Sequence, residues 1–332
     1  MSNKIDFVIL WVDGNDKNWQ EKKANFLNKE KNTSFNGNNS TVRYRDYGTL
    51  KFVFRSIDLF ASWVHKIYLV TDSQIPCWLD ISNKKVKVID HKDIIDKKYL
   101  PLFNSDAIEL NIDKIEGLSN NFVYFNDDTL LNRTVQKNDF FVKGLPRDFR
   151  IYSDIVPLID FDHIPLTNNI LINTFLGGDW PKSKKGLFSL KYGKHLIREL
   201  PFILQARKRG VTGYIEPHGP LSLQKRTFKL AREIWPQEME SNNTHRFRQM
   251  DDISMWLLRH LQLETGCFVP LSPKENTSYS IKQVDEIRRD LFSGRSRSIC
   301  INDESISDFD EKSKIVLELL NQKFPNKSSF ER

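Results

Sequence analysis

Only three cysteines occur in the 332 residues, Cys77, Cys267 and Cys300. They are far apart and odd in number, so they make neither a disulfide framework nor a CxxC metal pattern. That usage points to a reducing, cytosolic compartment. Long hydrophobic runs are missing as well. The first apolar stretch, Ile5 to Val12, is interrupted by Asp6 and is too short and too acidic for a signal peptide. Nothing later approaches the ~20 apolar residues of a membrane span. No GxGxxG follows the first apolar run and no Walker A loop occurs, so ordinary dinucleotide and P-loop chemistry lose support. A GxSxG elbow, an HExxH helix and a Cys/His cluster are absent too, which removes the common hydrolase and zinc readings. Arginines and aromatics do not interleave, so no nucleic-acid partner is expected.

What is present is the composition of a folded protein. Hydrophobic residues make up 39%, aromatics 12% and charged residues 28%, which argues against disorder. The length allows two lobes or one large domain. Fifty Lys and Arg against 43 Asp and Glu give a net charge of +7 and a pI of about 9.1. A phosphate-bearing substrate, an anionic polymer or an anionic membrane face suits that balance, and so does a plain solvated basic surface.

Short apolar runs alternate with helical patterns through the first 130 or so residues. Phe7 to Val12, Lys66 to Thr71, Lys85 to Ile89 and Asn121 to Phe125 read as strands. Lys17 to Lys31 reads as a polar helix, Asn32 to Thr41 as a loop, and Tyr47 to Phe60 as an amphipathic helix with Leu50, Phe54, Ile57 and Ala61 on one face. Asp106 to Ile115 reads as a further helix. Strand and helix in alternation imply an α/β fold, a mainly parallel Rossmann-like sheet flanked by helices. The second half reads as more helical: Tyr192 to Arg209, broken at Pro201, then Asp251 to Leu263, then Ser307 to Phe324. The expected division is an α/β half over 1–141, a mixed and mainly helical half over 142–302 that completes the site, and a C-terminal helix over 303–332.

Each strand is followed by polar residues: Asp13-Gly14-Asn15-Asp16, Thr71-Asp72-Ser73-Gln74, Asp90-His91 and Asn126-Asp127-Asp128. Open α/β sheets bind ligands outside the carboxyl ends of their strands. Asp and Asn also cap helices and make turns there, and for any one strand that is sufficient reason. The adjacent pair Asp127-Asp128 asks for more. Two carboxylates held together repel unless a cation or a base neutralises them. A hard cation such as Mg²⁺ takes one or two carboxylates together with phosphate oxygens of a substrate.

In order along the chain, these segments resemble the Stealth family of sugar-phosphate transferases. The first block is Ile5 to Asp16. The second runs from Arg43 to Asp80 and holds Arg45-Asp46, Leu50-Lys51, Arg55-Ser56-Ile57, Trp63-Val64, Gln74-Ile75-Pro76 and Trp78-Leu79. The third runs from Phe103 to Leu130 with Ala107-Ile108-Glu109 and Tyr124 to Asp128. The fourth joins His218-Gly219-Pro220 to Arg246-Phe247-Arg248 and Asp251-Asp252. Two departures stand out: Asp72-Ser73 replaces an expected Asn-Gly, and Asp106 sits where a proline is usual.

The resemblance implies transfer of a hexose- or N-acetylhexosamine-1-phosphate from a nucleotide-sugar, UDP-sugars favoured, to an acceptor sugar hydroxyl. A phosphodiester forms and a nucleoside monophosphate leaves, in synthesis of a bacterial capsule or surface polysaccharide. It implies Mg²⁺ or Mn²⁺ on Asp127 and Asp128, one of which is otherwise a general base. His218 is the rival base, and Arg248 stabilises charge on the transferred phosphate. Asp13 and Asp16 would meet nucleotide or sugar hydroxyls. Arg45, Arg55, Asn104, Ser105, Glu109 and Asn126 would complete the donor contacts. The acceptor would be a glycan or lipid-linked glycan, with the protein in the cytoplasm and peripherally at the inner face of the membrane. Two other readings stay open: a metal-dependent glycosyltransferase using Asn126-Asp127-Asp128 as a DxD-like motif, and a non-catalytic glycan-binding protein. Bland roles are also open. Arg248 can pair with Asp251 or Asp252, and Glu109 can serve its own helix.

Overall fold

The computed structural model describes residues 4–29 and 41–332. Of the loop expected over 32–41, residues 32–40 lie outside the described residues, and Thr41 opens a 3-10 turn, Thr41–Tyr44.

The strands are β1 (Ile5–Leu10), β2 (Ile67–Thr71), β3 (Val86–Asp90), β4 (Asn121–Asn126), β5 (Thr129–Leu131), β6 (Phe141–Val142), β7 (Leu145–Asp148), β8 (Leu221–Gln224), β9 (Val269–Pro270), β10 (Asn276–Ser280) and β11 (Ser298–Asn302). The helices are α1 (Lys17–Lys29), α2 (Leu50–Phe60), α3 (Ser105–Glu109), α4 (His163–Leu176), α5 (His195–Arg198), α6 (Leu200–Arg209), α7 (Lys225–Ile234), α8 (Pro236–Thr244), α9 (Met255–Glu264), α10 (Val284–Ser293) and α11 (Phe309–Lys323).

The main sheet has the order β3-β2-β1-β4-β8. Its first four strands are parallel and β8 closes the edge antiparallel to β4. The fold is therefore α/β, and the strand order reverses between β1 and β4, where ligands of open sheets bind. Period-two alternation sorts the apolar residues. Phe7, Ile9, Leu69, Val123 and Phe125 face one core, beneath α2, β11 and α11. Val8, Tyr68, Val70, Phe122 and Tyr124 face the other, beneath α7, α8 and α9. Asp6 interrupts β1 yet is satisfied: it takes a hydrogen bond from Ser119 N–H (2.7 Å) and pairs with His65 Nδ1 at 2.7 Å.

A second sheet, β10-β11-β5, joins β5 antiparallel to β11, and a third joins β6, β7 and β9. The β5–β11 and β4–β8 pairings join residues on the two sides of position 141. Residues from both sides build both cores, and α11 buries Val316, Leu319 and Leu320 against the sheet.

Two helices differ from expectation for local reasons. The Asp106 helix is only α3, followed by a 3-10 turn at Ile112–Lys114. The Tyr192–Arg209 segment divides at Glu199, and Pro201 sits in the first turn of α6. A proline there costs little because first-turn N–H groups have no partner within the helix. The Asp72-Ser73 departure also has a backbone reading. Ser73 adopts φ 59°, the left-handed conformation in which glycine is at ease. Its hydroxyl bonds Asp90, and Asp72 pairs with Lys22 at 2.5 Å.

Candidate active site

A cleft of about 950 Å³ opens at the carboxyl ends of β1, β3 and β4. The Asp127-Asp128 turn lies at its floor because β4 belongs to the main sheet and β5 to the second. Ile301 N–H donates to Asp128 C=O (3.1 Å), which ties the turn to β11. Both carboxylates are half-buried. Desolvation, then Asp128 and Asp46, push the Asp127 carboxyl well above its ordinary value. Desolvation raises Asp128 too, while hydrogen bonds from Thr129 and Cys300 and the charge of His218 pull the other way. Cys300 is itself pushed well up by burial and by Asp128, so it stands as a protonated thiol and not a nucleophile.

Arg248 is the cationic counterpart. Asn104 caps α3 through Asp106 N–H (3.1 Å), and its Nδ2 donates to Asp252 Oδ2 (3.0 Å). Phe103 N–H donates to Arg246 C=O (2.8 Å), and the rings of Phe103 and Phe247 stack at 5.1 Å. The loop thus clamped delivers Arg248, whose Nη2 donates to Ser105 Oγ (2.9 Å) and whose Nε lies 3.3 Å from Asp106 Oδ2. Burial opposes its charge, but Asp106 and Glu109 outweigh that and hold its pKa above the ordinary value. Its buried Nη1 has no hydrogen-bond partner. A donor left idle in a protein is costly, and the residue as a whole lines the cleft. Asp106, the residue in place of the usual proline, is therefore the residue that seats Arg248. Arg43 joins it, since both guanidiniums lie on the Phe161 ring at 5.3 and 5.6 Å.

Glu109, Tyr124 and Asn126 form a chain. Tyr124 Oη lies 2.9 Å from Glu109 Oε1 and 2.8 Å from Asn126 Oδ1. A phenol has one proton to donate. Desolvation, then Asp106, push Glu109 up to about 8. A protonated Glu109 resolves the chain by donating to Tyr124, which then donates to Asn126. His218 is exposed on the cleft wall, edge-on to Trp256 at 6.4 Å.

Of the residues singled out in the sequence, Arg45, Ser105, Glu109, Asn126, Asp127, Asp128, His218 and Arg248 line this cleft. Four do not. Arg55 is turned away into a bidentate pair with Glu331 (Nε–Oε1 2.7 Å, Nη2–Oε2 2.8 Å) and donates to Phe324 C=O. Asp13 and Asp16 accept from Asn15 and Asn18 N–H, and Gln74 staples their turn. Asn104 is fully buried and acts on the cleft only through α3 and Asp252.

Further cleft residues include Asp303 and His91. Asp303 follows β11 and pairs with Arg45 Nε at 2.9 Å. Burial and, more weakly, Asp128 lift it to about 6 despite that arginine. The signal that marks Asp127, an acid close after an apolar strand, also marks Asp303 directly after Ser298–Asn302. His91 follows β3, and neither of its buried ring nitrogens has a hydrogen-bond partner. Burial lowers its pKa, so it is neutral and offers one donor and one acceptor.

The two carboxylates fit a hard cation on their own chemistry: held adjacent without one, they are driven towards protonation. Among the described residues no three His, Cys, Asp or Glu side chains converge on a metal position. The protein thus offers what Mg²⁺ uses, one or two carboxylates with room for substrate oxygens.

Conserved regions 1, 2 and 3 of the Stealth proteins match residues 3–31, 43–148 and 217–261. The second and third blocks read from the sequence both fall in region 2. An exopolysaccharide phosphotransferase, Cps2G of Lactiplantibacillus plantarum, is 41% identical over 99% of this chain and 96% of its own. A receptor polysaccharide phosphotransferase, WefC of Streptococcus gordonii, is 37% identical over the whole of both chains. A capsular polysaccharide phosphotransferase, WcwK of Streptococcus pneumoniae, is 36% identical over 99% of this chain and 98% of its own. Among solved structures, the galactosyltransferase LgtC in complex with donor and acceptor sugar analogues is 11% identical over 96% of each chain, with a TM-score of 0.42. That likeness is too loose to bear on function. With three conserved regions in order and relatives this similar along their full length, the chain belongs to the Stealth family and is a transferase enzyme.

Proposed function

We propose that the protein transfers a sugar-1-phosphate from a nucleotide-sugar, UDP-sugars favoured, to an acceptor sugar hydroxyl in synthesis of a bacterial capsule or surface polysaccharide. The observation that carries this reading is Arg248, seated by Ser105 and Asp106 in the same cleft as the Asp127-Asp128 turn. Phosphoryl transfer needs positioning and charge neutralisation more than covalent help. In the reading, the acceptor oxygen attacks the phosphorus that bears the sugar. The bond from that phosphorus to the bridging oxygen breaks, and the nucleoside monophosphate leaves with its electron pair. His218 takes the hydroxyl proton. Arg248 grips two oxygens of the transferred group with its planar fork. Asp127 and Asp128 hold Mg²⁺ or Mn²⁺, which when bound neutralises charge on the diphosphate. The bond at the anomeric carbon is untouched, so its configuration is retained.

The test is to mix the protein with Mg²⁺, UDP- and GDP-sugars and a crude bacterial glycan, and to follow products by mass spectrometry and phosphorus NMR. UMP or GMP with a new diester resonance is expected. UDP or GDP instead would make the protein a glycosyltransferase. Sugar binding with no turnover would leave it a glycan-binding protein. CMP-sugars do not discriminate, because both reactions release CMP.

A further inference from the structure

Fifteen large hydrophobic side chains stand exposed among the described residues, and nine of them fall between Val156 and Leu204. This stretch lies wholly between the matched regions that end at 148 and resume at 217. Leu190, Ile197 and Leu158 are 86%, 83% and 82% exposed. The cluster is not scattered surface noise, because helix periodicity organises part of it. Glu199 keeps helical angles (φ −76°, ψ −22°) between α5 and α6. Ile197, Leu200 and Leu204 therefore project to one side and Ile203 and Ala206 to the other, where they are buried. Asn173 on α4 accepts from Val211 N–H (2.8 Å), which docks the end of α6 against α4 and its exposed Ile170.

Charge singles out the same stretch. Residues 182–209 contain nine Lys and Arg and one acid, Glu199, which is itself buried. The whole chain has a net charge of only +7. Arg207-Lys208-Arg209 closes α6 with all three side chains exposed. Exposed aliphatic residues beside flexible cations match a lipid interface: the former enter the acyl boundary while the latter meet anionic headgroups. Among the described residues no helix is long and apolar enough to cross a membrane. The same stretch of chain also reaches the cleft. Ile159 is 67% exposed and at the same time a wall residue, next to Phe161.

We infer that the 156–209 surface docks the protein on an anionic lipid bilayer, with the mouth of the cleft turned to the membrane. The use of that pose, to meet a lipid-linked acceptor, rests on the transferase reading; the docking itself does not.

The test is co-sedimentation of the full chain with vesicles of phosphatidylcholine alone and of phosphatidylcholine with phosphatidylglycerol, at low and high salt. Binding to the anionic vesicles that weakens with salt is expected. A triple variant Ile197→Ser, Leu200→Ser, Leu204→Ser, and another Arg207→Ser, Lys208→Ser, Arg209→Ser, should each bind roughly tenfold or more weakly. Both should keep parental Tm and parental nucleotide release with a water-soluble acceptor. Equal binding with and without phosphatidylglycerol, or variants that bind like the parent, overturns the inference. So does sedimentation velocity showing a dimer that the apolar variant dissolves, since the patch is then a contact between copies. Vesicle binding as expected with no donor turnover would refute the transferase reading and leave the docking standing.

Discussion

Asp127 shows how a single residue links stability to chemistry. Its carboxyl is raised far above the value of an unfolded chain, chiefly by desolvation and then by Asp128. Between those two values the native state binds more protons than the unfolded state. Stability therefore falls as pH rises through that window, and the cost persists above it. Asp127→Asn removes the cost. Without added metal, the variant should melt ~2 °C or more above the parent at pH 8, and the gap should close towards pH 4. Its transfer rate with Mg²⁺ should fall by ~10²-fold or more. A melting point unchanged or lowered at pH 8 would show that the carboxylate is already compensated within the fold. Arg248 carries the complementary lesson: the sequence offered Asp251 or Asp252 as its partners, whereas the structure pairs it with Asp106, far away in the chain.

At the scale of elements, α2 is held by contacts that its own sequence does not announce. Its Arg55 lies inside a block shared with the family, and so reads as a site residue. Its partner Glu331 is 276 residues away. Their side chains are 9% and 3% exposed, and Arg55 also donates to Phe324 C=O at 2.8 Å. Removing one partner of a buried pair leaves the other charge uncompensated and costs about 3–5 kcal/mol. Arg55→Met should lower the denaturant midpoint accordingly while the KM for the donor stays at the parental value. A raised KM at parental stability would return Arg55 to the site. Strands were legible where apolar runs were long, as in β1, β2 and β4. The three residues of β5 and the four of β8 give too little pattern, and their partners lie in distant segments.

At the scale of the molecule, residues of both expected halves share both cores. Leu257, Leu258 and Leu261 of α9 close one face of the main sheet, and Ile299, Ile301 and Val316 help close the other. A fragment of residues 1–141 leaves both faces only partly covered. It should unfold without a cooperative thermal transition and bind a hydrophobic dye strongly, as loosely packed states do. A sharp transition by calorimetry would show that the first half carries its own core.

The sequence by itself determined the α/β plan and the strand ends that gather at the cleft, because apolar runs of period two and the polar residues after them are local features. It also held the ordered blocks that place the chain in its family. Tertiary structure alone decided which polar residues share the cleft. Arg55, Asp13 and Asp16 read in sequence like Arg45 and Asp127, yet their charges are spent on Glu331 and on backbone amides. Asp303 and His91 enter the cleft on strands from opposite ends of the chain. Whether a carboxylate serves a substrate or a cap depends on what surrounds it. That surrounding is made by residues hundreds of positions apart.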